Sequence, residues 1–453
     1  QDACPREYGE GANGCPPDAD GDLITDFADA CPMQARISVN LGCPEGVNPP
    51  DEDADGVPDL YDGCLGEVGV METGGCADTD GDGVVDQFDV CPDQAGETAF
   101  SGCIITTEIT LPANLAAISA ANAVSAAEVG RLIVGSSRIT LGGNNVLAVR
   151  GDNQVYLYDL TQAALTPTIL TETGFPDYPI ALSATGAYLA MLDFPDDFST
   201  PPYVQIRDGF SGDLLFQLVP PPDNNGQAVG ISGFAFSPTD PALLAIAPLT
   251  GNAETVGVNV PIYDLASNSL ITQFTMPGGA VNIAFSRDGS RLALDTSETE
   301  TMAVYLFDPS LQTQVGRIVT TSELHFAGTP LAFNGDGSRL AIGYPDGSVH
   351  LWDTPVGADP SERYTVDLFG ENEIVSAVAY SGDVIAVAGG VPFSGGLRGD
   401  EVFSIVLLNA ETGEALARWD AHETLIRDLV FNNDGTLLIS GADTSVRFWG
   451  VGG

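Results

Sequence analysis

The sequence predicts a mainly β protein in which a seven-bladed β-propeller follows an extended repeat arm with little regular secondary structure. Three observations lead to this expectation. Groups of aspartates recur at fixed spacing within the first 103 residues, and all eight cysteines lie in the same segment. Beyond residue 128, apolar segments and turns repeat every 41 to 56 residues. A chain of 453 residues is also long enough for more than one domain.

The most informative acidic segment runs from Asp78 to Asp89. Its carboxylates occupy positions 1, 3, 5, 9 and 12 of a twelve-residue loop, and Gly83 at position 6 permits a sharp turn. Oxygen ligands at this spacing suit Ca²⁺, a hard cation that takes about six to eight oxygens. The pattern occurs three times, each copy starting 13 residues before a cysteine, with Leu23 in the glycine position of the first copy. The predicted carboxylate ligands are Asp18, Asp20, Asp22, Asp26 and Asp29; Asp51, Asp53, Asp55, Asp59 and Asp62; and Asp78, Asp80, Asp82, Asp86 and Asp89. An isolated acidic run would be read as a solvated surface, but three copies in register favour a metal site.

The cysteines predict local disulfide bonds. They form four pairs separated by 11, 12, 12 and 12 residues, and a glycine precedes the second member of each pair. Zinc would be an alternative, but the C-x-x-C knuckles typical of zinc sites are absent. An oxidising, extracellular compartment is therefore favoured. Eight cysteines do not by themselves determine a connectivity, yet the repeat pairs them locally as Cys4–Cys15, Cys31–Cys43, Cys64–Cys76 and Cys91–Cys103.

The charge of the chain restricts its partners. It contains 15 Arg, no Lys and 63 acidic residues, a net charge of -48. Such a charge excludes general binding to nucleic acid or anionic membranes and favours divalent cations. Residues 1–103 hold 24 acids and 2 Arg, a net charge of -22, so without metal this segment would repel itself into a disordered arm. No stretch of 18 apolar residues occurs, so no membrane insertion is predicted.

Residues 1–103 resemble thrombospondin type 3 repeats, especially the bacterial form found in linkers of OmpA-like and other secreted surface proteins. The matching motif extends from Asp78 to the Cys91-Pro92 pair and ends at Gly102-Cys103. The resemblance implies a calcium- and disulfide-stabilised arm whose rigidity depends on Ca²⁺. It also implies that backbone carbonyls at position 7 complete the ligand set, at Ile24, Val57 and Val84.

Residues 104–127 form a predicted junction between the arm and the propeller. Residues 104–111 alternate well enough for a strand, which Pro112 ends. An alanine-rich run beginning at Ile118 predicts a short helix with Ser119 as its N-cap.

Residues 128–453 repeat a four-strand pattern, of which Pro330 to Asp353 is the best copy. The predicted third strand of each unit ends at a marker residue, and there are seven markers, at 159, 208, 264, 308, 353, 409 and 450. This period is typical of a β-propeller. The last unit lacks an outer strand, so we expect Val129 to Val134 to close the ring and remove its open edges. Seven blades are predicted, with eight possible if residues 104–111 add to them.

The Trp352-Asp353 ending resembles the WD40 family. The resemblance implies a structural hydrogen-bonded set of His, Ser or Thr, Asp and Trp within a blade. Two blades match that set, the second with Gly343 in the serine place: His422, Ser440, Asp443 and Trp449; and His325, Asp346 and Trp352.

Enzymatic activity is not expected. Propeller enzymes use His and carboxylates at the central channel, but this chain has three His, of which two fit the structural set. The third, His350, lies within a predicted strand and is read as an ordinary sheet residue. No G-x-S-x-G, H-E-x-x-H or Walker motif occurs on a suitable element, and the disulfide pairs leave no thiol nucleophile.

The sequence therefore predicts a secreted, non-enzymatic structural protein of the cell surface or extracellular matrix. Because the sequence begins within a repeat, at Asp2 to Pro5, the arm could dock on the propeller of another copy, and such head-to-tail contacts build filaments. The alternative is a monomeric adhesion module whose propeller recognises carbohydrate or protein. Its insertions at 195–202, 249–259 and 389–401 could form the binding face, although they are equally consistent with tolerated surface loops. A peptidoglycan-spanning role is less favoured, because no peptidoglycan-binding domain is present.

Overall fold

The computed structural model describes most of the chain. The described residues are 18–20, 24–26, 29–34, 41, 43–44, 47–89, 91–98, 102–135, 138–151, 154–171, 178–194, 201–249, 257–297, 302–310, 313–320, 329–370, 373–391, 403–442 and 444–453. The predicted site residues Cys4, Cys15, Asp22, His325 and Asp443 lie outside this set, as do most residues of the three insertions. The chain separates into two compact units, residues 1–104 and 105–453.

The first unit contains little regular secondary structure. Its described helical element is one 3-10 turn, Met71–Thr73, inside the Cys64–Cys76 loop. Among its described residues, the buried apolar side chains are four cysteines and Val57. Disulfide bonds and backbone hydrogen bonds therefore take the place of a hydrophobic core in the described part of this unit.

The second unit begins with three strands and one helical turn. They are β1 (Ile109–Thr110), β2 (Leu115–Ala116), a 3-10 turn at Ala123–Ser125, and β3 (Ala127–Ile133). The predicted junction strand is thus shorter than residues 104–111. The predicted helix is a single turn, and Asn122 rather than Ser119 is its N-cap residue, with its Oδ1 accepting the Ser119 N–H at 2.8 Å.

Seven four-stranded antiparallel sheets follow, which confirms the predicted seven-bladed propeller. Blade 1 contains β4 (Arg138–Leu141), β5 (Val146–Gly151), β6 (Gln154–Asp159) and β8 (Thr168–Thr171), with β7 (Ala164–Leu165) before β8. Blade 2 contains β9 (Ile180–Leu182), β10 (Tyr188–Asp193), β11 (Tyr203–Asp208) and β12 (Leu214–Leu218). Blade 3 contains β13 (Gly230–Phe236), β14 (Leu243–Leu249), β15 (Gly257–Asp264) and β16 (Ser269–Pro277). Blade 4 contains β17 (Ala280–Phe285), β18 (Leu292–Ser297), β19 (Met302–Asp308) and β20 (Thr313–Thr320).

The remaining three blades complete the ring. Blade 5 contains β21 (Leu331–Phe333), β22 (Arg339–Gly343), β23 (Ser348–Asp353) and β24 (Ser361–Asp367). Blade 6 contains β25 (Ile374–Ser381), β26 (Val384–Gly390), β27 (Phe403–Asn409) and β28 (Ala415–His422). Blade 7 contains β29 (Asp428–Phe431), β30 (Leu437–Gly441) and β31 (Ser445–Gly452), to which β3 adds as the fourth strand.

The third strands end at the predicted marker positions. In blades 1 to 6 the last residue of this strand is the marker itself, and in five of these blades its side chain accepts hydrogen bonds from the following turn. In blade 1, for example, Asp159 Oδ1 accepts the N–H (2.9 Å) and the hydroxyl (2.6 Å) of Thr161. An Asp or Asn at this place starts the turn to the fourth strand, because its side-chain oxygen accepts a hydrogen bond from the backbone N–H two residues further along the chain.

The ring is closed by strands from both ends of the propeller sequence. Strand β3 pairs with β31 in antiparallel register from Ala127 opposite Gly450 to Ile133 opposite Ser445. Strand β2 pairs with the end of β31, so it extends this closure beyond the predicted segment. Strand β1 pairs with β7 of blade 1 and does not form an eighth blade. Among the described residues, no helix is long and apolar enough to cross a membrane.

A buried hydrogen-bonded set ties blade 6 to blade 7. His422, at the end of β28, contacts the Ser440 hydroxyl through Nε2 (2.7 Å) and the Ser445 hydroxyl through Nδ1 (3.3 Å). Trp449 Nε1 donates to the same Ser440 oxygen at 2.9 Å. The predicted association of His422, Ser440 and Trp449 is therefore confirmed, and Ser445 is an additional member.

The corresponding set in blade 5 is incomplete. Gly343 takes the serine place, and Trp352 Nε1 is buried without an acceptor among the described residues. A Cβ at Gly343 would lie 2.3 Å from Val375 Cγ1. An apolar side chain of blade 6 therefore fills the space that a serine would need, which explains why this blade tolerates the loss.

We expect His422 to make the stability of the propeller fall as the pH falls below about 6.5, the usual pKa of an unfolded-state histidine. Burial, reinforced by Arg447 and Arg131, lowers the pKa of His422 well below that value. The imidazole is therefore neutral in the folded state, while the unfolded state takes up a proton as the pH falls. Replacing His422→Gln should remove this decline and lower the free energy of unfolding by about 1–3 kcal/mol near neutral pH. Urea unfolding in saturating Ca²⁺ above and below this pH measures both effects.

Ser440→Ala is the matched control for this experiment. It removes hydrogen bonds of the same set but keeps the imidazole, so it should lower stability and retain the decline. A decline of the same size in His422→Gln and in the unaltered protein would contradict the prediction.

Candidate metal centres in the acidic repeats

Two groups of three carboxylates converge in the first unit. One oxygen from each of Asp51, Asp53 and Asp55 lies within 4.8 Å of the others. Asp78, Asp80 and Asp82 form the same arrangement one repeat later. These are positions 1, 3 and 5 of the two loops, so the alternation of aspartates along the chain brings their side chains to one side of the loop.

Backbone N–H groups hold these carboxylates in place. Asp78 accepts the N–H of Gly81 on Oδ1 (2.8 Å) and the N–H of Gly83 on Oδ2 (3.0 Å). Asp80 and Asp82 each accept the N–H two residues further on, at 3.2 and 2.9 Å. The turn requires glycine at position 6, because Gly83 has a φ of +92°.

The position-12 aspartates lie near the same two clusters, since the Asp62 carboxylate raises the pKa of Asp53 and the Asp80 and Asp82 carboxylates raise the pKa of Asp89. Oδ1 of Asp62 accepts the Cys64 N–H at 2.7 Å, and Oδ1 of Asp89 accepts the Cys91 N–H at 2.6 Å. Their second oxygens are buried and accept no hydrogen bond among the described residues.

Unpartnered carboxylate oxygens provide the test of whether these residues fit a metal ion. In the second and third repeats, five such oxygens are buried without a hydrogen-bond donor among the described residues: Asp51 Oδ1, Asp53 Oδ2, Asp62 Oδ2, Asp80 Oδ2 and Asp89 Oδ2. A buried carboxylate oxygen without a donor is strongly unfavourable unless a cation compensates it. All five are hard oxygens, so the donor set fits Ca²⁺. The predicted carbonyl ligands at position 7 stay a prediction, although Val57 is buried beside its site.

The electrostatics of the two sites lead to the same conclusion. Burial raises the pKa of Asp53 and of Asp89 above the usual value, and the neighbouring carboxylates of the same repeat raise it further. Backbone N–H groups oppose this rise in both cases. A divalent cation reverses this effect, because it stabilises the ionised form of every carboxylate around it.

The position-9 aspartates lie outside these three-residue groups. Asp59 Oδ1 accepts the Glu52 N–H at 2.7 Å. Asp86 accepts the Thr79 N–H at 2.7 Å on one oxygen and the Thr79 hydroxyl at 2.6 Å on the other, and these bonds lower its pKa. These two side chains therefore stabilise the start of each loop, and their predicted role as ligands stays a prediction.

The first repeat is described only in part. Asp26 Oδ1 accepts the Ala19 N–H, and Asp29 Oδ1 accepts the Cys31 N–H, each at 2.7 Å. These bonds match those made by position 9 and position 12 in the later repeats. Asp18, Asp20 and Ile24 are described, but no group of three converging carboxylates is described here.

Two of the three described disulfide loops are hydrogen-bonded directly to the acidic loop that precedes them. The structure contains Cys31–Cys43, Cys64–Cys76 and Cys91–Cys103, three of the four predicted pairs. Gly96, inside the third disulfide loop, donates its N–H to Asp82 Oδ2 at 2.8 Å. Gly69 makes the equivalent bond to Asp55 Oδ2 at 2.9 Å. The disulfide loop therefore orients a position-5 carboxylate in both repeats.

The glycine before the second cysteine packs against the position-12 carboxylate. A Cβ at Gly75 would lie 2.1 Å from Asp62 Oδ1, and a Cβ at Gly102 would lie 2.1 Å from Asp89 Oδ1. Both glycines also have positive φ, +83° and +78°. The glycine in the Gly-Cys ending is thus required by both conformation and space.

Outside the first unit, one cluster has the residue types of a catalytic triad. His350 contacts the Ser348 hydroxyl through Nε2 (3.1 Å) and Glu362 Oε1 through Nδ1 (2.7 Å). However, the Ser348 hydroxyl donates to Asp346 Oδ1 at 2.6 Å, and the serine is 4% exposed. A nucleophilic serine needs its proton directed at the histidine and its oxygen accessible.

We expect Asp80→Asn to lower the calcium affinity of the third repeat by about tenfold or more. The substitution removes one of the clustered charges and places a neutral amide where a buried oxygen has no donor. Asp93→Asn is the matched control, because Asp93 is exposed and outside the three-residue group. Calorimetric titration of the full chain with Ca²⁺ measures the difference. Equal affinities of the two variants would contradict the assignment.

We expect Gly102→Ala to weaken calcium binding and Gly81→Ala to affect it much less. Both positions have similar positive φ, +78° and +79°, so each alanine costs about 1 kcal/mol in backbone conformation. Only the Cβ at position 102 would displace the Asp89 carboxylate, since Gly81 has open space around it. Thermal unfolding with and without Ca²⁺ distinguishes the two contributions. The prediction fails if both variants lose the same calcium-dependent stabilisation.

Comparisons with known proteins agree with this division of the chain. The thrombospondin type 3 repeat family matches residues 13–38 and 76–98, and the WD domain, G-beta repeat family matches residues 331–353 and 413–450. The Arabidopsis thaliana protein ROOT INITIATION DEFECTIVE 3 is 30% identical over 115 residues, which is 25% of this chain and 23% of that protein. The chain thus spans about a quarter of this relative.

A solved structure shows the same fold for the propeller. A chain from the crystal structure of the mitotic checkpoint complex superposes with a TM-score of 0.52 and 19% identity, covering 76% of this chain and 96% of that one. At this identity the likeness concerns the fold alone. The chain therefore carries thrombospondin type 3 repeats in its amino-terminal part and WD40 repeats within a seven-bladed β-propeller.

Proposed function

We propose that the protein is a secreted, non-enzymatic structural protein of the cell surface or extracellular matrix, and that its repeat unit is rigid only with Ca²⁺ bound. The observation that carries this proposal is the set of buried carboxylate oxygens without donors, grouped around the two clusters of three aspartates. Without a cation these oxygens oppose the folded loop, and with one they become its main stabilising contact.

Two features support an extracellular location. Three disulfide bonds lie in the described part of a unit that buries few apolar side chains, which is typical of proteins in oxidising compartments. Extracellular calcium-binding modules also work at concentrations of about 0.1–1 mM. Calcium sites and disulfide bonds that share the same loops are thus suited to conditions outside the cell.

The proposal that the protein is not an enzyme rests on its histidines and cysteines. His422 is 1% exposed and held by two serine hydroxyls. His350 faces a serine that is buried and already bonded to Asp346. The described cysteines are all in disulfide bonds. None of these groups is placed as a nucleophile or general base.

Self-association through the repeat unit is the assembly that we propose. The Cys64–Cys76 loop exposes four apolar side chains, with exposed fractions of 45% to 69%: Leu65, Val68, Val70 and Met71. Exposed apolar residues grouped in one short loop are typical of contact surfaces. If this loop contacts a different surface on the next copy, the head-to-tail contact does not close and a filament results.

The second candidate function is a monomeric adhesion module that binds carbohydrate or protein. The observation that favours it is the central channel of the propeller, which has a cavity of about 380 Å³ at one end and about 360 Å³ at the other. Cavities of this size are sufficient for small ligands.

We expect chelation to dissolve assemblies of the protein. Light scattering and electron microscopy of the full chain in millimolar Ca²⁺ should reveal large particles, and excess chelator should return them to monomers. A monomer whose mass does not change with Ca²⁺ would contradict assembly and favour the adhesion module.

The double variant Val68→Ser, Met71→Ser should reduce particle size in Ca²⁺. Val356→Ser, which alters an apolar residue of the propeller that is 86% exposed, is the matched control.

A further inference from the structure

The exposed apolar side chains of the Cys64–Cys76 loop include a methionine. Met71 is 65% exposed and directly follows Val70, which is also exposed. A thioether is apolar and adaptable, so it is well suited to a contact surface. Unlike the valines of the same loop, it is converted by a mild oxidant into a polar group. Met71 is therefore a point at which chemistry can change the character of this surface.

The backbone on which Met71 lies is fixed by hydrogen bonds. Met71 begins the 3-10 turn Met71–Thr73. The hydroxyl of Thr73 lies within hydrogen-bonding distance of the carbonyl oxygens of Val70 (3.0 Å) and Cys76 (2.6 Å). The methionine side chain thus projects into solvent from a turn that other residues hold in place. A change at its sulfur does not require the turn to open.

The contacts that join this loop to its acidic loop are made by other residues. Gly69 donates its N–H to Asp55 Oδ2 at 2.9 Å. Gly75 packs so closely against Asp62 that a Cβ would lie 2.1 Å from its Oδ1. Neither contact involves the side chain of Met71. A change confined to the Met71 sulfur should therefore alter the loop surface and leave calcium binding unaffected.

Three of the other four methionines provide internal comparisons. Met191 and Met276 are each 1% exposed within the propeller, so an aqueous oxidant reaches their sulfur atoms slowly. Met33 is 80% exposed and lies in a different disulfide loop, Cys31–Cys43. It reports the access of the oxidant to an exposed thioether outside the Cys64–Cys76 loop.

The reaction that suits this group is oxygen transfer from a peroxide. The sulfur lone pair attacks one oxygen of hydrogen peroxide, and the S–O bond forms as the O–O bond breaks. The other oxygen leaves as hydroxide and takes the proton from the new S–OH group, which gives water. The sulfur loses two electrons and the peroxide gains them. The product is methionine sulfoxide, a polar side chain that disrupts apolar contacts.

We propose that Met71 is a modification site for peroxide, and that its sulfoxide prevents assembly through the Cys64–Cys76 loop. This inference rests on the self-association proposed above and adds a redox control to it. A sulfoxide oxygen buried in an apolar contact loses its hydrogen bonds to water without replacing them, which makes the contact unfavourable. Assembly itself would cover Met71, so the oxidant acts on copies that have not yet assembled.

The test uses the full chain in saturating Ca²⁺, treated with hydrogen peroxide either as a dilute monomer or after assembly. Catalase then removes the peroxide. Peptide mass spectrometry measures the sulfoxide at Met33 and Met71, light scattering measures assembly, and calorimetry measures calcium binding. Oxidation of the monomer should raise the protein concentration needed for assembly by about tenfold or more, with unchanged calcium affinity. Oxidation after assembly should modify Met33 faster than Met71.

Met71→Leu should assemble like the unaltered protein and resist peroxide, because leucine keeps the apolar volume and has no sulfur. Met33→Leu is the matched control and should stay sensitive to peroxide. Met71→Gln places a polar group at the same position and should assemble poorly without any oxidant. Retained sensitivity in Met71→Leu, resistance in Met33→Leu, or normal assembly of protein that carries the Met71 sulfoxide would each overturn the inference.

The same experiment separates this inference from the proposed function. A protein that stays monomeric in Ca²⁺ before any oxidation would overturn the proposed assembly, and this inference with it. Assembly that proceeds equally well with the Met71 sulfoxide would overturn the redox control alone and leave the proposed function standing.

Discussion

The acidic loops of the repeat unit hold carboxylates of like charge close together, because backbone N–H groups fix their positions. Three carboxylates in each loop are fixed by N–H donors to within 4.8 Å, and like charges at this distance repel one another. The hydrogen bonds prevent these side chains from separating, so the repulsion must be compensated by protons or by a cation. Near neutral pH a bound divalent ion would provide this compensation, and folding of the unit would then be coupled to metal binding.

The disulfide loops contact the carboxylates of the candidate metal sites. The position-5 carboxylate accepts an N–H from inside the disulfide loop, and the position-12 carboxylate lies against the glycine that precedes the second cysteine. A cation that draws these carboxylates together therefore also orders the disulfide loop. The propeller contrasts with this arrangement, because apolar side chains packed between its blades form extended cores.

Much of this architecture follows from spacing in the sequence. The blade count and the ends of six third strands were predictable from the recurring Asp or Asn, whose side chain accepts hydrogen bonds from the following turn in five of these blades. The carboxylate positions in the acidic loops were also predictable from their regular spacing in the sequence. Spacing does not reveal where a side chain points, so the bonds of Asp59 and Asp86 to the start of their loops were not foreseen. The cavity of about 360 Å³ at one end of the central channel was also missed, because its lining combines residues from six blades that are far apart in sequence.

The buried polar set is present at blade 7 but lacks its serine at blade 5, and this difference has a physical explanation. Most blades are continuous in sequence, so packing between neighbours is sufficient, as Val375 demonstrates by filling the space beside Gly343. Blade 7 differs because its outer strand β3 comes from the other end of the propeller, more than 300 residues away. Joining such distant segments carries a loop-closure cost, and strand β31 must be in place before β3 can pair with it. Trp449 lies on β31 opposite Glu128 of β3, and its bond to Ser440 and, through it, to His422 fixes that strand. The bonds among His422, Ser440 and Trp449 are thus found where the ring has most need of a pre-formed edge.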